Sequence, residues 1–151
     1  MRVQYRIRKA ARSDLARIQE IEDASFGREA YDCKLFAYYL NRCGQLFLVA
    51  ERRGRVCAYM ITCRQALRAE LISVAVDPAQ RKAGAASALL EGTLRRLRRQ
   101  RIARWHLMVR LSNRAALRFY EKYGFRPIRR VPGYYEDGGA GIMMSLRLGR
   151  G

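Results

Sequence analysis

The chain has 151 residues, half of them apolar, and carries 31 Lys and Arg against 13 Asp and Glu for a formal net charge of +18. That length and apolar content fit one folded domain and exclude intrinsic disorder. No apolar run is long enough to span a bilayer, and the N-terminal MRVQYRIRKAARSD lacks the apolar centre of a signal peptide, so a cytoplasmic protein with no membrane partner is expected.

Val3, Tyr5 and Ile7 alternate with polar residues, the period of a half-buried strand. Ser13 is placed to cap a helix, with Asp14 in its first turn. Leu15, Ile18, Ile21 and Ala24 share one face of that helix, which ends at Phe26-Gly27. A second helix is predicted from Tyr31 to Arg42, with Leu35, Phe36, Tyr39 and Leu40 inside and Gly44 closing it. Leu46 to Ala50 is a short strand, residues 52–55 a hairpin turn, and Val56 to Cys63 the return strand.

The stretch from Glu70 to Leu90, ELISVAVDPAQRKAGAASALL, is the most informative. An apolar strand from Leu71 to Val76 stops at Asp77-Pro78. A basic turn with Arg81, Lys82 and Gly84 follows, then a helix to about Arg99. Strand, glycine turn and helix start present unpaired N–H groups and a positive helix end, the requirements of a phosphate or pyrophosphate site. Trp105, Leu107 and Val109 alternate in another strand. Ser112-Asn113 caps a helix to Lys122, Gly124 ends it, and strands follow from Phe125 to Arg130 and from Ile142 to Leu148. The order β-α-α-β-β-β-α-β-α-β-β is a mixed α/β layer fold, not a regular βαβ repeat.

The cysteines, Cys33, Cys43, Cys57 and Cys63, form no CxxC pair, and His106 is the single histidine, so no metal site is expected. All four cysteines read as small, mostly buried, unpaired hydrophobes. Only four of the basic residues are lysines. Arginine grips phosphate bidentately, and a surface this basic draws polyanions. Arg95, Arg96, Arg98, Arg99 and Arg101 also suit the C-terminal end of their own helix.

Three separated pieces resemble one family. Val76-Asp77-Pro78 followed by residues 81–86, RKAGAA, is similar to the Q/R-x-x-G-x-G/A signature of the GNAT superfamily of N-acetyltransferases. Met108 to Phe125, MVRLSNRAALRFYEKYGF, resembles the strand and helix that follow in RimI-type enzymes, the ribosomal-protein alanine acetyltransferases. Residues 132–138, PGYYEDG, resemble their paired-tyrosine hairpin. The three occur in the family's order and cover, with the element order, nearly the whole chain.

The resemblance implies one GNAT domain over residues 1–151. Its central sheet would be twisted, splayed and mixed, with about seven strands and about four helices. It implies acetyl-CoA as cofactor, CoA as product and no metal. Val74, Ala75 and Val76 would pair with the pantetheine arm. Arg81, Lys82, Ala83, Gly84, Ala85, Ala86 and Ser87 would cradle the pyrophosphate, and Asn113 would bond the cofactor arm. Tyr120 takes the place of the general acid beside the CoA sulfur. The family commonly has Glu where Met108 stands, so the base is vacant there. Glu70, His106, or no dedicated base are the alternatives, with Glu70 preferred.

The implied acceptor is the N-terminal amine of a protein or peptide, against Tyr134 and Tyr135. Glu20, Glu22, Asp23, Glu136 and Asp137 would lend the acceptor groove acidity, and the basic surface suggests ribosome or RNA proximity. The competing readings are transfer to a lysine side chain or small-molecule amine, and a catalytically impaired CoA- or RNA-binding module.

Overall fold

The computed structural model describes residues 4–27 and 30–149. The chain forms two compact units, one of residues up to Arg64 with Ile72–Arg96, the other of Gln65–Leu71 with Leu97 onward. Two strands and one helix have residues in both units.

The first unit begins with β1 (Arg6–Lys9); Val3 lies outside the described residues. Ser13 does not cap the next helix. Arg12–Asp14 is a single 3-10 turn, and Asp14 makes the bonds there. Its carboxylate accepts from the Ala11 N–H at 2.7 Å and from two Arg8 nitrogens at 2.7 and 3.0 Å. A carboxylate outcompetes the neighbouring hydroxyl because a guanidinium from β1 is in reach, and charge-assisted bonds are the stronger.

α1 (Leu15–Phe26) buries Ile18 and Ile21. α2 (Cys33–Cys43) starts two residues later than predicted, where Asp32 accepts from the Leu35 N–H at 3.0 Å. β2 (Phe47–Arg52) and β3 (Arg55–Gln65) are an antiparallel hairpin closed by Arg53-Gly54. Both turn residues have positive φ, 53° and 78°, the demand of a tight two-residue hairpin.

β4 (Arg68–Val76) is shared by both units, so the first has strand order β1-β2-β3-β4. α3 (Ala85–Arg99) follows, and a Cβ on its Gly92 would come within 2.8 Å of Ile7 Cγ2, so only glycine lets helix and β1 approach this closely. Phe36 stands edge-on to Tyr59 at 5.4 Å in a core with Ile18, Ile21, Phe47 and Ile61.

The cysteine reading needs correction. Cys43 and Cys63 are joined by a disulfide with Cα atoms 5.0 Å apart. They are 20 residues apart in sequence, and the tertiary path of β2 and β3, not local spacing, brings them together. Cys57 is buried as expected, whereas Cys33 is exposed.

In the second unit β4 pairs in parallel with β5 (Arg104–Arg110) through Arg68↔Arg104, Ala69↔Trp105 and Glu70↔His106. A parallel neighbour needs a crossover, and α3 supplies it. β5 pairs antiparallel with β7 (Gly141–Arg147), and β7 with β6 (Arg126–Val131), giving β4-β5-β7-β6. α4 (Arg114–Lys122) starts where the Asn113 side chain accepts from the Ala116 N–H at 3.1 Å. Fully buried Trp105 meets Phe125 at 5.4 Å, with Leu107, Met144 and Leu148 completing this core. The seven strands of the mixed sheet and its four helices are those predicted.

Candidate active site

The β4–α3 junction lies in the first unit. β4 ends at Val76, and Asp77 starts the turn. One Asp77 oxygen accepts from the Ala79 N–H at 3.1 Å, the other from Arg17. Desolvation pushes the Asp77 carboxyl up, but the Ala79 N–H and the Arg17 and Arg55 charges outweigh it and hold the group below its ordinary value. Arg81 and Lys82 are exposed. The backbone turns left-handed at Lys82 (φ 65°) and at Gly84 (φ 94°). Lysine adopts that conformation at a cost, glycine freely.

The Ala88 N–H donates to the Gly84 carbonyl at 3.0 Å. The amides of Ala85, Ala86 and Ser87 therefore lie ahead of the first helical bond, as orphan donors at the positive end of α3. Arg81, Lys82 and Ala83 lead into them. This arrangement fits a pyrophosphate, and the backbone of Val74, Ala75 and Val76 runs straight into it.

The other predicted residues lie in the second unit. Glu70 and His106 are register partners at the end of the β4–β5 ladder. Glu70 is exposed, so the desolvating strand environment expected for it is absent. His106 is half-buried; burial first, then Arg68 and Arg104, lower its pKa. Its Nε2 accepts from Arg68 Nε at 3.3 Å, which puts the neutral ring's proton on Nδ1. Tyr120 is buried on α4, its ring edge-on to Phe125 at 5.5 Å, and burial pushes its hydroxyl up to about 12. It is therefore a protonated donor at neutral pH. Asn113 spends its side-chain oxygen on the cap of α4.

Tyr134 and Tyr135 stack edge-on at 4.9 Å in the loop between β6 and β7. Arg110 lies over the Tyr135 ring at 4.2 Å and donates to both Asp137 oxygens at 2.9 Å. Asp137 is thus taken up by Arg110 of β5 and by the Gly139 N–H of its own loop. Glu22 also departs from the expectation of a groove carboxylate. It is 2 % exposed, accepts from the Tyr59 hydroxyl, and its other oxygen accepts from the Tyr31 N–H at 2.8 Å.

Two features escaped the sequence reading. One is this Glu22–Tyr59 contact, which Ser73 extends. The other is an open groove of about 920 Å³ within the second unit, lined by Arg114, Arg118, Arg130, Leu117 and Pro132. A polar Glu in an apolar α1 face and a Tyr inside the apolar β3 run were the signals for the first. For the second, the i, i+4 spacing of Arg114 and Arg118 was available. Among the described residues no cluster of three His, Cys, Asp or Glu could hold a metal ion, and no helix is long and apolar enough to cross a membrane.

The sequence profile of the acetyltransferase (GNAT) family matches residues 14–125. An N-alpha-acetyltransferase of Sulfolobus acidocaldarius is 28% identical over 97% of this chain and 95% of its own. Among solved structures, Ard1 from Thermoplasma volcanium superposes with a TM-score of 0.91 at 28% identity, covering 98% of this chain and 100% of that one. The ribosomal-protein-S18-alanine N-acetyltransferase from Escherichia coli superposes at 0.87 with 29% identity, covering 98% and 96%.

Proposed function

The chain belongs to the GNAT acetyltransferase family, and from that premise we propose that it transfers an acetyl group from acetyl-CoA directly to the N-terminal amine of a protein or peptide. The observation that carries the cofactor is the β4–α3 junction. Exposed Arg81 and Lys82, left-handed Lys82 and Gly84, and the amides of Ala85, Ala86 and Ser87 suit the pyrophosphate. The amides of Val74, Ala75 and Val76 pair with the pantetheine arm, and the free amide nitrogen of Asn113 serves the same arm. Support for the acceptor comes from the Sulfolobus relative, an N-alpha-acetyltransferase matched nearly end to end, and from the Escherichia coli alanine N-acetyltransferase. The family match runs through both compact units, which favours one functional domain. A cytoplasmic location belongs to the same reading.

Tyr120 is the general acid. Its hydroxyl keeps its proton to a pH of about 12 and gives it to the departing thiolate. Tyr134, half exposed, and Tyr135, steadied by Arg110, form the acceptor wall. Between the two single-residue candidates, His106 is less suited to act as base than Glu70. Glu70 is open to water, whereas the His106 lone pair is engaged by Arg68 and its protonated form is disfavoured.

The test is mass spectrometry of peptides incubated with the protein and acetyl-CoA, with free and with blocked N-termini. Acetylation of the free amines only is expected. Equal modification of both, on lysine, would replace this reading with the side-chain one. Tyr120→Phe should lower kcat by about a hundredfold with acetyl-CoA affinity unchanged.

A second contact, with RNA, rests on the arginine groove. Arg114, Arg118 and Arg130 are exposed and make no ion pair among the described residues. Guanidinium groups held this way suit phosphates and stack on bases. Retention of a single-stranded RNA with steep salt dependence supports it, and no retention at low salt removes it.

A further inference from the structure

The first unit holds a buried polar chain that the reading above leaves unused. Glu22 sits on α1, 2 % exposed, with no ion pair to any described cation. Tyr59, fully buried on β3, donates its hydroxyl proton to Glu22 Oε1. The Tyr59 oxygen is 2.8 Å from Ser73 Oγ. Tyr31 contributes its backbone N–H to Glu22 Oε2. The titratable groups facing the carboxyl are therefore Tyr59 from β3 and Tyr31 ahead of α2; Asp23, next in α1, faces outward and accepts from Gln19 at 2.9 Å.

The donor order follows from elementary bonding. The Tyr59 hydroxyl donates to Glu22 Oε1, which leaves the Tyr59 oxygen to accept. Ser73 then donates to Tyr59, which leaves its own lone pairs available to accept. Burial first, and then the Glu22 bond, keep Tyr59 protonated well beyond its ordinary range, so it passes a proton without standing as phenolate. Ser73 is only partly buried and immediately precedes Val74 on β4, the strand assigned above to the pantetheine. The chain thus runs from the cofactor strand into the protein with every bond pointing the same way.

We propose that Ser73, Tyr59 and Glu22 form a proton relay that deprotonates the acceptor ammonium, with Glu22 as terminal base. This rests on the acetyl-transfer reading and places the base that Met108 leaves vacant. Ser73 Oγ takes a proton from the ammonium as its own passes to Tyr59 and the Tyr59 proton passes to Glu22. The neutral amine then forms the C–N bond as the C–S bond breaks. The second nitrogen proton leaves to solvent, Tyr120 takes back from solvent the proton it gave to sulfur, and Glu22 afterwards returns its proton to solvent by the same path. Only Ser73 meets the substrate; Tyr59 and Glu22 act through it.

The experiment compares kcat across pH for Ser73→Ala, Ser73→Thr, Tyr59→Phe, Glu22→Gln and Glu70→Gln, with acetyl-CoA affinity and thermal midpoint measured alongside. Ser73→Ala and Tyr59→Phe are expected to lose about a hundredfold in kcat with acetyl-CoA affinity kept. Ser73→Thr, which restores a hydroxyl, recovers most of the loss. Glu22→Gln flattens the acidic limb, and Glu70→Gln leaves it in place. A limb that vanishes in Glu70→Gln alone, or equal rates for Ser73→Ala and Ser73→Thr, overturns the relay. Should Tyr59→Phe or Glu22→Gln fail to fold, the Ser73 pair decides. A wild-type protein that binds no acetyl-CoA defeats the parent reading instead, so the two failures are distinguishable.

Discussion

The two units treat charge in opposite ways. The first pairs or buries several of its acidic groups: Arg8 grips Asp14 and Glu51, Arg17 grips Asp77, and Glu22 disappears into the core. The second displays it. β6 carries Arg126, Arg129 and Arg130 exposed, α4 adds Arg114 and Arg118, and Asp137, the acid gripped by Arg110, is itself exposed. Exposed pairs contribute little, whereas a partly buried carboxylate that loses its partner leaves an uncompensated charge. Asp14, Glu51 and Asp77 of the first unit therefore hold the fold, whereas Arg114, Arg118 and Arg130 of the second are exposed with no ion pair among the described residues.

The sharpest way to test that division is to remove core from the first unit. Phe36 touches Phe47 and Tyr59 and is fully buried. Phe36→Ala should cost about 3–5 kcal/mol, read from denaturant unfolding. Next is the disulfide. Cys43→Ser with Cys63→Ser opens a loop of 20 residues and should cost about 3 kcal/mol by loop closure alone, and reduction of the wild type should give the same shift.

Asp14→Asn ranks third, at about 2 kcal/mol after allowing for the partial exposure of Arg8. It also carries a pH signature. The Arg8 bond, opposed by burial and aided by the Ala11 N–H, holds the folded Asp14 carboxyl below its ordinary value. As pH falls, the unfolded chain takes up the proton first. The contribution is complete above the ordinary carboxylate value of about 4 and is lost as pH drops through the lower folded value. Wild type and Asp14→Asn should therefore converge in stability toward low pH; parallel curves would deny Asp14 the role.

These residues also mark how far the amino-acid pattern reaches. Every strand and helix was legible, because period-2 runs such as Trp105–Val109 and faces such as Leu15–Ile18–Ile21 need no partner to be recognised. The turn at Lys82–Gly84 was legible because its chemistry is local. What local pattern could not show depends on residues that meet only after folding. Ser13 looked like the cap, with Asp14 only an acid in the first turn, until Arg8 arrived from β1. Cys43 and Cys63 looked unpaired until β3 returned beside α2. Glu22 looked like surface acidity until the Tyr59 hydroxyl met it. Glu70 had the opposite fate, an apolar neighbourhood in sequence and an exposed position in the sheet.

The smallest effect on stability is expected in the second unit, and it is the most discriminating. Arg114→Gln, Arg118→Gln and Arg130→Gln together remove three cations that make no ion pair among the described residues. Nothing packed is lost, so the thermal midpoint should not move measurably. If the groove tracks a phosphate backbone, each contact contributes roughly 0.7 to the slope of log affinity against log salt for a single strand. The triple variant should then flatten that slope by roughly 2 in fluorescence anisotropy with a single-stranded RNA. Arg98→Gln, Arg99→Gln and Arg101→Gln remove the same charge from the end of α3 and serve as the control. Equal flattening in both sets would mean that overall charge, not the groove, attracts the RNA. Flattening confined to the groove set would mean that the second unit's unpaired arginines are a site.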